Sequence, residues 1–213
     1  MQHIPTVLDH GFEYIGGDVS TDFVNTKSGR LERPGHEHIQ TYADLCEFAR
    51  QAGALSSAEA RPLIAGAAKR PEKAAQIYRR GVALREAIFR AFTRIAVKKD
   101  PAPEDLEIIG AEAADAFAHA RVVKVAAGFG WEWPQGDDLA RPLWPIARSA
   151  SDLLTNDRDR ERIRECSDDT CAWLFVDRTK NHTRRWCDME TCGNRAKQAR
   201  LRQREKKLAR AAR

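Results

Sequence analysis

The sequence lacks a long hydrophobic run, since nowhere do eighteen apolar residues follow one another. A membrane-spanning helix needs about twenty such residues, which excludes an integral membrane protein of the helical kind. The stretch MQHIPTVLDHGFEYIGG carries neither the basic region nor the apolar region of a secretory signal peptide. We therefore expect a soluble, cytoplasmic protein that works without a membrane.

Several catalytic and nucleotide-binding signatures are also missing. The GFG of residues 128–130 is too short for a phosphate-binding loop, and it fits the geometry of a hairpin better. The polar residues form no recognisable pair of nucleophile and base. We accordingly expect that the protein is not an enzyme.

Cysteine is scarce, with five in 213 residues, but four of them stand as two C-x4-C pairs: Cys166 with Cys171, and Cys187 with Cys192. In a reducing compartment, clustered cysteines are more often metal ligands or catalytic thiols than disulfides. Structural zinc takes four tetrahedral ligands, often as two thiolate pairs. We predict one structural zinc ion per chain. A redox pair and four unrelated buried thiols remain as alternatives, although C-x4-C lacks the close C-x-x-C geometry of redox motifs.

Charge is divided unequally along the chain. Residues 158–213 contain 17 Lys and Arg against 9 Asp and Glu, which gives +8. Because the whole chain carries +5, the preceding 157 residues carry −3. A basic segment beside an acidic one indicates a polyanionic partner, and nucleic acid is the commonest. The expected partner is therefore a nucleic acid, and double-stranded DNA and a structured RNA both suit these charges.

Helical periodicity dominates the middle of the sequence. It predicts helices in TYADLCEFARQAGAL, in SSAEARPLIAGAAKR with a capping box of Ser56 and Glu59, in the long PEKAAQIYRRGVALREAIFRAFTRIAVKK, and in PEDLEIIGAEAADAF. ARVVKVAAGFGWEWP alternates and predicts a hairpin, and LARPLWPIARSASDLLTNDRDRERIRE is helical again. The first forty residues, which include GGDVSTDFVNT, are expected to form a loop with short extended pieces.

The cysteine segment has its own pattern. AWLFVD alternates as a strand with Trp173 and Phe175 on one face, RTKNHT is a polar turn, and RRWC is expected to return as a second strand. Helix formers follow the last cysteine. The fold class is thus mainly α with a small β-hairpin: a helical N-terminal domain over residues 1–160 and a C-terminal treble-clef-like zinc finger over residues 161–213.

Two motifs resemble known families. LFVDRTKNHTRRWCDMETCGNR resembles the CGNR zinc finger, through the Cys-Gly-Asn-Arg of residues 192–195, the Lys-Asn of 180–181 and the Arg-Arg-Trp-Cys of 184–187. Thr179 and Thr183 stand where serine is usual, a small chemical change. GGDVSTDFVNT is similar to the Gly-Gly and Asp-Phe-x-Asn-Thr element of the ABATE domain that usually precedes this finger. The resemblance implies a bacterial transcription regulator with a structural zinc and DNA as its target.

Basic and amide side chains around the polar turn and on the following helix are the candidates for contact with nucleic acid: Arg178, Lys180, Asn181, Arg184, Arg185, Asn194, Arg195, Lys197, Arg200 and Arg204. Most would meet phosphates, while arginine can read guanine and asparagine can read adenine. Structural roles compete with these contacts, because Asn194 can close the metal knuckle and Arg184 or Arg185 can stack on Trp186.

The N-terminal motif supplies a second candidate site. Asp22, Asn25 and Thr26 form a polar group that suits a small-molecule effector. The sequence therefore predicts a DNA-binding transcription regulator in which the helical domain senses an effector or forms a homodimer. An RNA-binding protein using the same basic module, and an N-terminal domain that binds or transforms a small molecule, are the alternatives.

Overall fold

The computed structural model describes residues 11–31 and 35–211, and over these residues the chain is mainly helical. The helices are α1 (Val19–Asn25), α2 (Tyr42–Gln51), α3 (Ser57–Lys69), α4 (Pro71–Ala96), α5 (Pro103–Ala118), α6 (Trp144–Thr155), α7 (Asp157–Arg160) and α8 (Asn194–Ala211). The strands are β1 (Lys27–Ser28), β2 (His36–Glu37), β3 (Arg121–Val125), β4 (Gly128–Glu132), β5 (Ile163–Glu165) and β6 (Leu174–Val176), and they pair antiparallel as β1–β2, β3–β4 and β5–β6. No helix in the described part of the chain has both the length and the apolar character needed to cross a membrane.

Helix α4 is the centre of the helical body, which we define as the described residues up to 160. Its residues Ile77, Leu84, Ile88 and Phe92 are completely buried, and α1, α2, α3 and α5 pack around it. Each such side chain contributes about 1.5–3 kcal/mol by leaving water. The 3.6-residue period of the apolar residues in this segment predicted a helix, and the structure confirms it.

Local capping fixes the start of α3, the helix that follows the turn at Gly53. The Ser56 hydroxyl accepts a hydrogen bond from the backbone N–H of Glu59, and the Glu59 carboxylate accepts one from the backbone N–H of Ser56, at 3.3 and 2.8 Å. The predicted capping box of α3 is therefore present, and Pro62 is tolerated inside that helix. Gly53 has a φ of 72°, a left-handed conformation that glycine adopts without steric cost.

The GGDVSTDFVNT segment differs from the prediction of extended pieces, because it forms helix α1. Asp18 caps this helix, since its carboxylate accepts a hydrogen bond from the backbone N–H of Ser20 at 3.0 Å. Phe23 and Val24 are then buried among α2, α4 and α6. Tertiary burial of a short capped segment outweighed the turn residues that suggested a loop.

The hairpin near the cysteines is also different from the prediction. Strand β6 pairs with β5, with Ile163 opposite Val176, whereas RRWC is not a strand. The last residues of the segment predicted as helical, 163–165, supply this partner strand. The alternating segment after α5 does form the predicted hairpin, β3–β4, with Val122 opposite Trp131.

Strand β6 joins the helical body to the finger, which we define as residues 161–211. Leu174 and Val176 face the apolar core of the helical body, while Phe175 faces the four cysteines. This alternation follows from strand geometry, which points successive side chains to opposite faces. One short hairpin therefore belongs to both cores, and the two modules are packed together.

Candidate metal centre and nucleic-acid interface

The four paired cysteines converge on one point, and we call Cys166, Cys171, Cys187 and Cys192 the cysteine cluster. Their sulfurs all lie within 4.8 Å of one another. The Cys187 Sγ lies 3.6 Å from that of Cys171 and 3.5 Å from that of Cys192. Four thiolates at a tetrahedral zinc ion are separated by about 3.8 Å, given Zn–S bonds of about 2.3 Å. The sulfurs are thus close to the arrangement that a structural zinc requires.

The first cysteine pair is positioned by the turn between β5 and β6. The backbone N–H of Cys166 donates to the carbonyl of Trp173 at 2.8 Å, which holds the base of this turn closed. The Asp168 carboxylate accepts from the backbone N–H of Thr170 at 3.0 Å, and the N–H of Cys171 donates to the Asp168 carbonyl at 3.0 Å. Asp168 therefore closes the turn between the two cysteines of the first pair.

The second pair is positioned by a π-helical turn, Met189–Gly193, that leads directly into α8. The Asp188 carboxylate caps this turn by accepting from the backbone N–H of Thr191 at 2.7 Å. A Cβ at Gly193 would lie 3.0 Å from the Met189 sulfur, so glycine here lets the Met189 side chain pack closely on the turn. The last ligand, Cys192, therefore sits at the start of the basic helix.

The electrostatics of the cysteine cluster favour a cation. The pKa of Cys166 is lowered because the Cys171 and Cys187 thiols hydrogen-bond to its sulfur. The same bonds raise the pKa values of Cys171 and Cys187. One thiolate forms readily, but four thiolates in contact need a dication to neutralise their repulsion. The donor set, the spacing and the burial all fit zinc.

A buried carboxylate organises the segment between β6 and the second cysteine pair, residues 178–186, which we call the basic loop. Asp177 is fully buried and accepts hydrogen bonds from the backbone N–H and hydroxyl of Thr179, at 3.0 and 2.6 Å, and from the backbone N–H of Arg184, at 2.9 Å. Although burial opposes ionisation, these hydrogen bonds hold the pKa of Asp177 below its ordinary value. The sequence analysis missed Asp177, although Asp followed two residues later by Thr is a signal for such a turn.

Arg184 has a structural position rather than a free one. Its guanidinium donates to the carbonyls of Ile15 at 2.9 Å, of Trp186 at 3.0 Å and of Cys187, and it lies 4.3 Å from the centre of the Phe175 ring. These contacts link the helical body, the basic loop and the cysteine cluster. The structure therefore gives Arg184 a structural role, and its contact with nucleic acid stays a prediction.

Three other predicted residues are partly engaged. Arg178 donates to the carbonyl of Gly17 at 3.0 Å, and the Arg195 guanidinium lies 2.6 Å from the Thr170 hydroxyl and 3.5 Å from the Asp168 carboxylate. The side-chain amide of Asn194 donates to the carbonyl of Glu190 at 2.8 Å, which closes the π-helical turn as the structural alternative proposed. Arg178 and Arg195 still expose about half of their side chains.

The remaining predicted residues are exposed on one module. They share a position on the basic loop or on α8: Lys180, Asn181, Arg185, Lys197, Arg200 and Arg204. With Arg195, Arg202, Lys207 and Arg210, the basic side chains of α8 cover roughly two-thirds of its circumference at 100° per residue. Leu201 and Leu208, which are 57% and 63% exposed, lie on the remaining stripe.

Asp22, Asn25 and Thr26, at the C-terminal end of α1, do not converge on a common cleft. The carboxyl group of Asp22 accepts a hydrogen bond from the backbone N–H of Gly16 at 2.7 Å, and Thr26 receives a hydrogen bond from Arg85 at 3.1 Å. The Asn25 amide bonds to both the N–H and the carbonyl of Leu174, at 3.0 and 2.9 Å. These three side chains hold the N-terminal segment, α4 and β6 together, which is a structural use of the residues considered for an effector.

Comparison with known families agrees with this arrangement. The ABATE model, described as "Putative stress-induced transcription regulator", matches residues 17–157, and a model of the CGNR zinc finger matches residues 162–205. A search among curated proteins found no match. The ABATE match spans more than half of the chain, and the finger match contains all four residues of the cysteine cluster. The chain therefore belongs to the ABATE family and carries a CGNR zinc finger whose four cysteines are placed to hold a metal ion.

Proposed function

We propose that this protein is a DNA-binding transcription regulator in which a structural zinc ion organises the basic loop and the start of α8 against duplex DNA. The observation that carries the proposal is the supply of exposed basic groups without acidic partners. Among the described residues, Arg185, Lys197, Arg200 and Arg204 form no salt bridge with Asp or Glu. Such groups can neutralise phosphates and release counterions.

The zinc ion is assigned a structural role. Four thiolates complete its coordination, which leaves no open position for a reacting water or substrate. The ion would join the β5–β6 turn to the π-helical turn that begins α8. Loss of zinc would therefore release the start of α8 from the β5–β6 turn.

Helix α8 supplies most of this surface. Its 18 residues give a length of about 27 Å, enough to follow a groove across several base pairs. Its residues from Lys197 onward are exposed wherever their side chains are described, so the helix extends away from the rest of the chain. Most of its arginines are assigned to phosphates, since phosphate and sugar receive at least half of protein–DNA hydrogen bonds.

The helical body is assigned to regulation and not to catalysis. Asp22, Asn25 and Thr26 make internal hydrogen bonds, which counts against an active site built from these three side chains and equally against an effector site built from them. Two contacts connect the body to the basic loop, from Arg178 to the Gly17 carbonyl and from Arg184 to the Ile15 carbonyl. A change at residues 15–17, through an effector or a second copy of the chain, would reach the basic loop through them.

The first test is metal analysis of the purified protein together with selection from a random duplex DNA library at physiological salt. One zinc per chain and an enriched sequence motif are expected. Competition with a structured RNA separates DNA binding from RNA binding, and preferential binding of the RNA would overturn the proposal.

The contribution of α8 is measured by the salt dependence of DNA binding. Deleting residues 196–213 should lower the slope of log K against log salt by several units, at about 0.9 for each phosphate contact that is lost. A gentler variant, R200Q with R204Q, should lower it by about two. Its matched control is R61Q with K69Q, which removes two exposed charges from α3 and should leave the slope unchanged. If the two double variants had equal slopes, α8 would not be part of the interface with DNA.

A further inference from the structure

A cavity lies between the basic loop and the π-helical turn. It has a volume of about 350 Å³, and Lys180, Asn181, Arg185, Trp186 and Met189 are among the residues that line it. This is within the range of about 300–1,000 Å³ that is usual for small-molecule sites. It lies on the side of the finger that carries the exposed basic residues, and it is separate from the cysteine cluster.

The cavity combines an apolar wall with a polar, basic rim. Met189 is 60% exposed although it is a large apolar side chain, and Trp186 is half-buried beside it. Asn181 offers a donor and an acceptor, while Lys180 and Arg185 are exposed cations at the rim. A nucleotide needs apolar surface against the face of its ring, a hydrogen-bonding group at the edge of the ring and cations near its phosphates. The cavity offers all three.

Trp186 lines the cavity, and its indole N–H is buried without a hydrogen-bond acceptor among the atoms that the structure describes. Because this nitrogen has almost no accessible surface, a molecule in the cavity would contact the ring of Trp186 and not its N–H. The guanidinium carbons of Arg185 and Arg200 lie 5.2 and 5.6 Å from the centre of the same ring. Guanidinium planes stack on bases as well as on indoles, so the wall is suited to a heteroaromatic ring.

We propose that this cavity receives one unstacked nucleobase of the bound DNA. Met189 and Trp186 contact the face of the base, Asn181 hydrogen-bonds to its edge, and Lys180 and Arg185 hold the flanking phosphates. A base stacked inside an intact duplex cannot enter such a cavity, because its two faces are covered by its neighbours. Taking a base out of the stack costs least where the base is already unpaired. The inference rests on the proposed function of DNA binding and adds a preference for duplexes with an unpaired base.

The test compares two DNA probes of the same mixed sequence, an intact duplex and a duplex with one unpaired base, by fluorescence anisotropy with the zinc-loaded full chain. The unpaired base should strengthen binding about tenfold, the effect expected for stacking a single base against a side-chain wall. Equal binding of the two duplexes would overturn the cavity assignment while leaving DNA binding intact. Failure to bind either duplex would overturn both proposals.

Three variants locate the effect. M189A and W186F should each reduce the preference for the unpaired base to less than about threefold, because the first removes the apolar contact and the second replaces the indole by a smaller aromatic face. L201A is the matched control, because Leu201 is similarly exposed at 57% on the same module but outside the cavity. Zinc content and thermal midpoint are measured for all three to establish that they fold. A preference that survives in both M189A and W186F would place the unpaired base elsewhere and overturn the proposal.

Discussion

The arginines of the helical body and those of the finger are used differently. In the body, Arg85 is almost completely buried and pairs with Glu37 at 2.5 Å, and Arg80 bridges Glu112 and Asp115 at 2.8 Å. In the finger, most exposed basic groups have no acidic partner among the described residues. Arg85 and Arg80 therefore join separate elements of the body, whereas the finger concentrates exposed basic groups on one loop and one helix, where another molecule can reach them. Net charge alone does not reveal this, because both kinds of arginine contribute equally to it.

The two regions also differ in how they are held together. The body has an apolar core built from long amphipathic helices. The core of the finger is small and consists of the cysteine cluster and Phe175, with Ile15, Trp173 and Trp186 beside it. A core of this size cannot stabilise a fold by burial alone, so the finger depends on metal and on its contacts with the body.

The largest expected effect comes from breaking the metal centre. C187S or C192S should abolish stoichiometric zinc binding and unfold the basic loop and α8, because zinc binding contributes about 10–16 kcal/mol of folding free energy in such modules. Far-UV circular dichroism should retain most of the signal of the body, while its thermal midpoint falls because β6 packs in the same core.

Zinc content and limited proteolysis complete that experiment. C46A is the control, since Cys46 is buried in the body outside the cysteine cluster and its loss should leave the zinc content unchanged. Complete loss of helical signal in C192S would show that the body and the finger cannot be separated.

The second effect is a dependence of the free energy of unfolding on pH, which arises from Asp22 in the body. Burial raises the pKa of Asp22 to about 8, although the hydrogen bond from Gly16 works in the opposite direction. The carboxyl of an unfolded chain ionises near pH 3.9, roughly the value of a free aspartate. Between these values the folded state keeps a proton that the unfolded state releases, so the free energy of unfolding falls as pH rises from about 4 to about 8.

Urea unfolding at a series of pH values checks this dependence. D22N should remove a decline on the order of 5 kcal/mol, at about 1.4 kcal/mol for each pKa unit. D100N, which changes an exposed carboxylate of the body, should leave the decline in place. Identical pH profiles for the wild type and D22N would show that Asp22 is ionised in the folded protein.

A smaller loss is expected at the junction of the two regions. N25A removes both hydrogen bonds to the backbone of Leu174 and leaves a buried N–H and a buried carbonyl without partners. The cost should be about 2–6 kcal/mol in the free energy of unfolding, at about 1–3 kcal/mol for each of the two unsatisfied groups. N181A changes an exposed asparagine and should cost less than about 0.5 kcal/mol in the same urea titration. Equal losses in the two variants would mean that the junction contributes nothing to stability.

The smallest effects distinguish two adjacent arginines. R184A should lower the free energy of unfolding by about 1–3 kcal/mol, because it removes the donor to three backbone carbonyls. R185A should change stability by less than about 0.5 kcal/mol, since Arg185 is exposed, but it should weaken DNA binding. Chemical denaturation and a DNA titration are performed on both variants. If R185A lowered stability and R184A did not, Arg184 would not have the structural role that its three hydrogen bonds indicate.

Features that depend on neighbours along the chain could be predicted from the sequence. The 3.6-residue period placed α2, α4 and α5, the Ser56 and Glu59 pair placed the start of α3, and the alternation after α5 placed the β3–β4 hairpin. The grouping of the four cysteines followed from their spacing. The prediction of the strand that pairs with β6 was wrong, because a three-residue strand carries too little pattern to identify its partner. The prediction for the α1 segment was wrong because Asp18 and two glycines indicate a loop as readily as a helix cap.

The sequence by itself determined which residues are available for chemistry: four cysteines in two pairs, a basic C-terminal segment and an amphipathic helical body. Only the tertiary structure decided how each is used. It placed Arg184 against three carbonyls and left Arg185 exposed, and it gave Asp22, Asn25 and Thr26 to the junction. The physical reason is that a side chain's role depends on which groups burial leaves without a partner, and those groups come from distant parts of the chain.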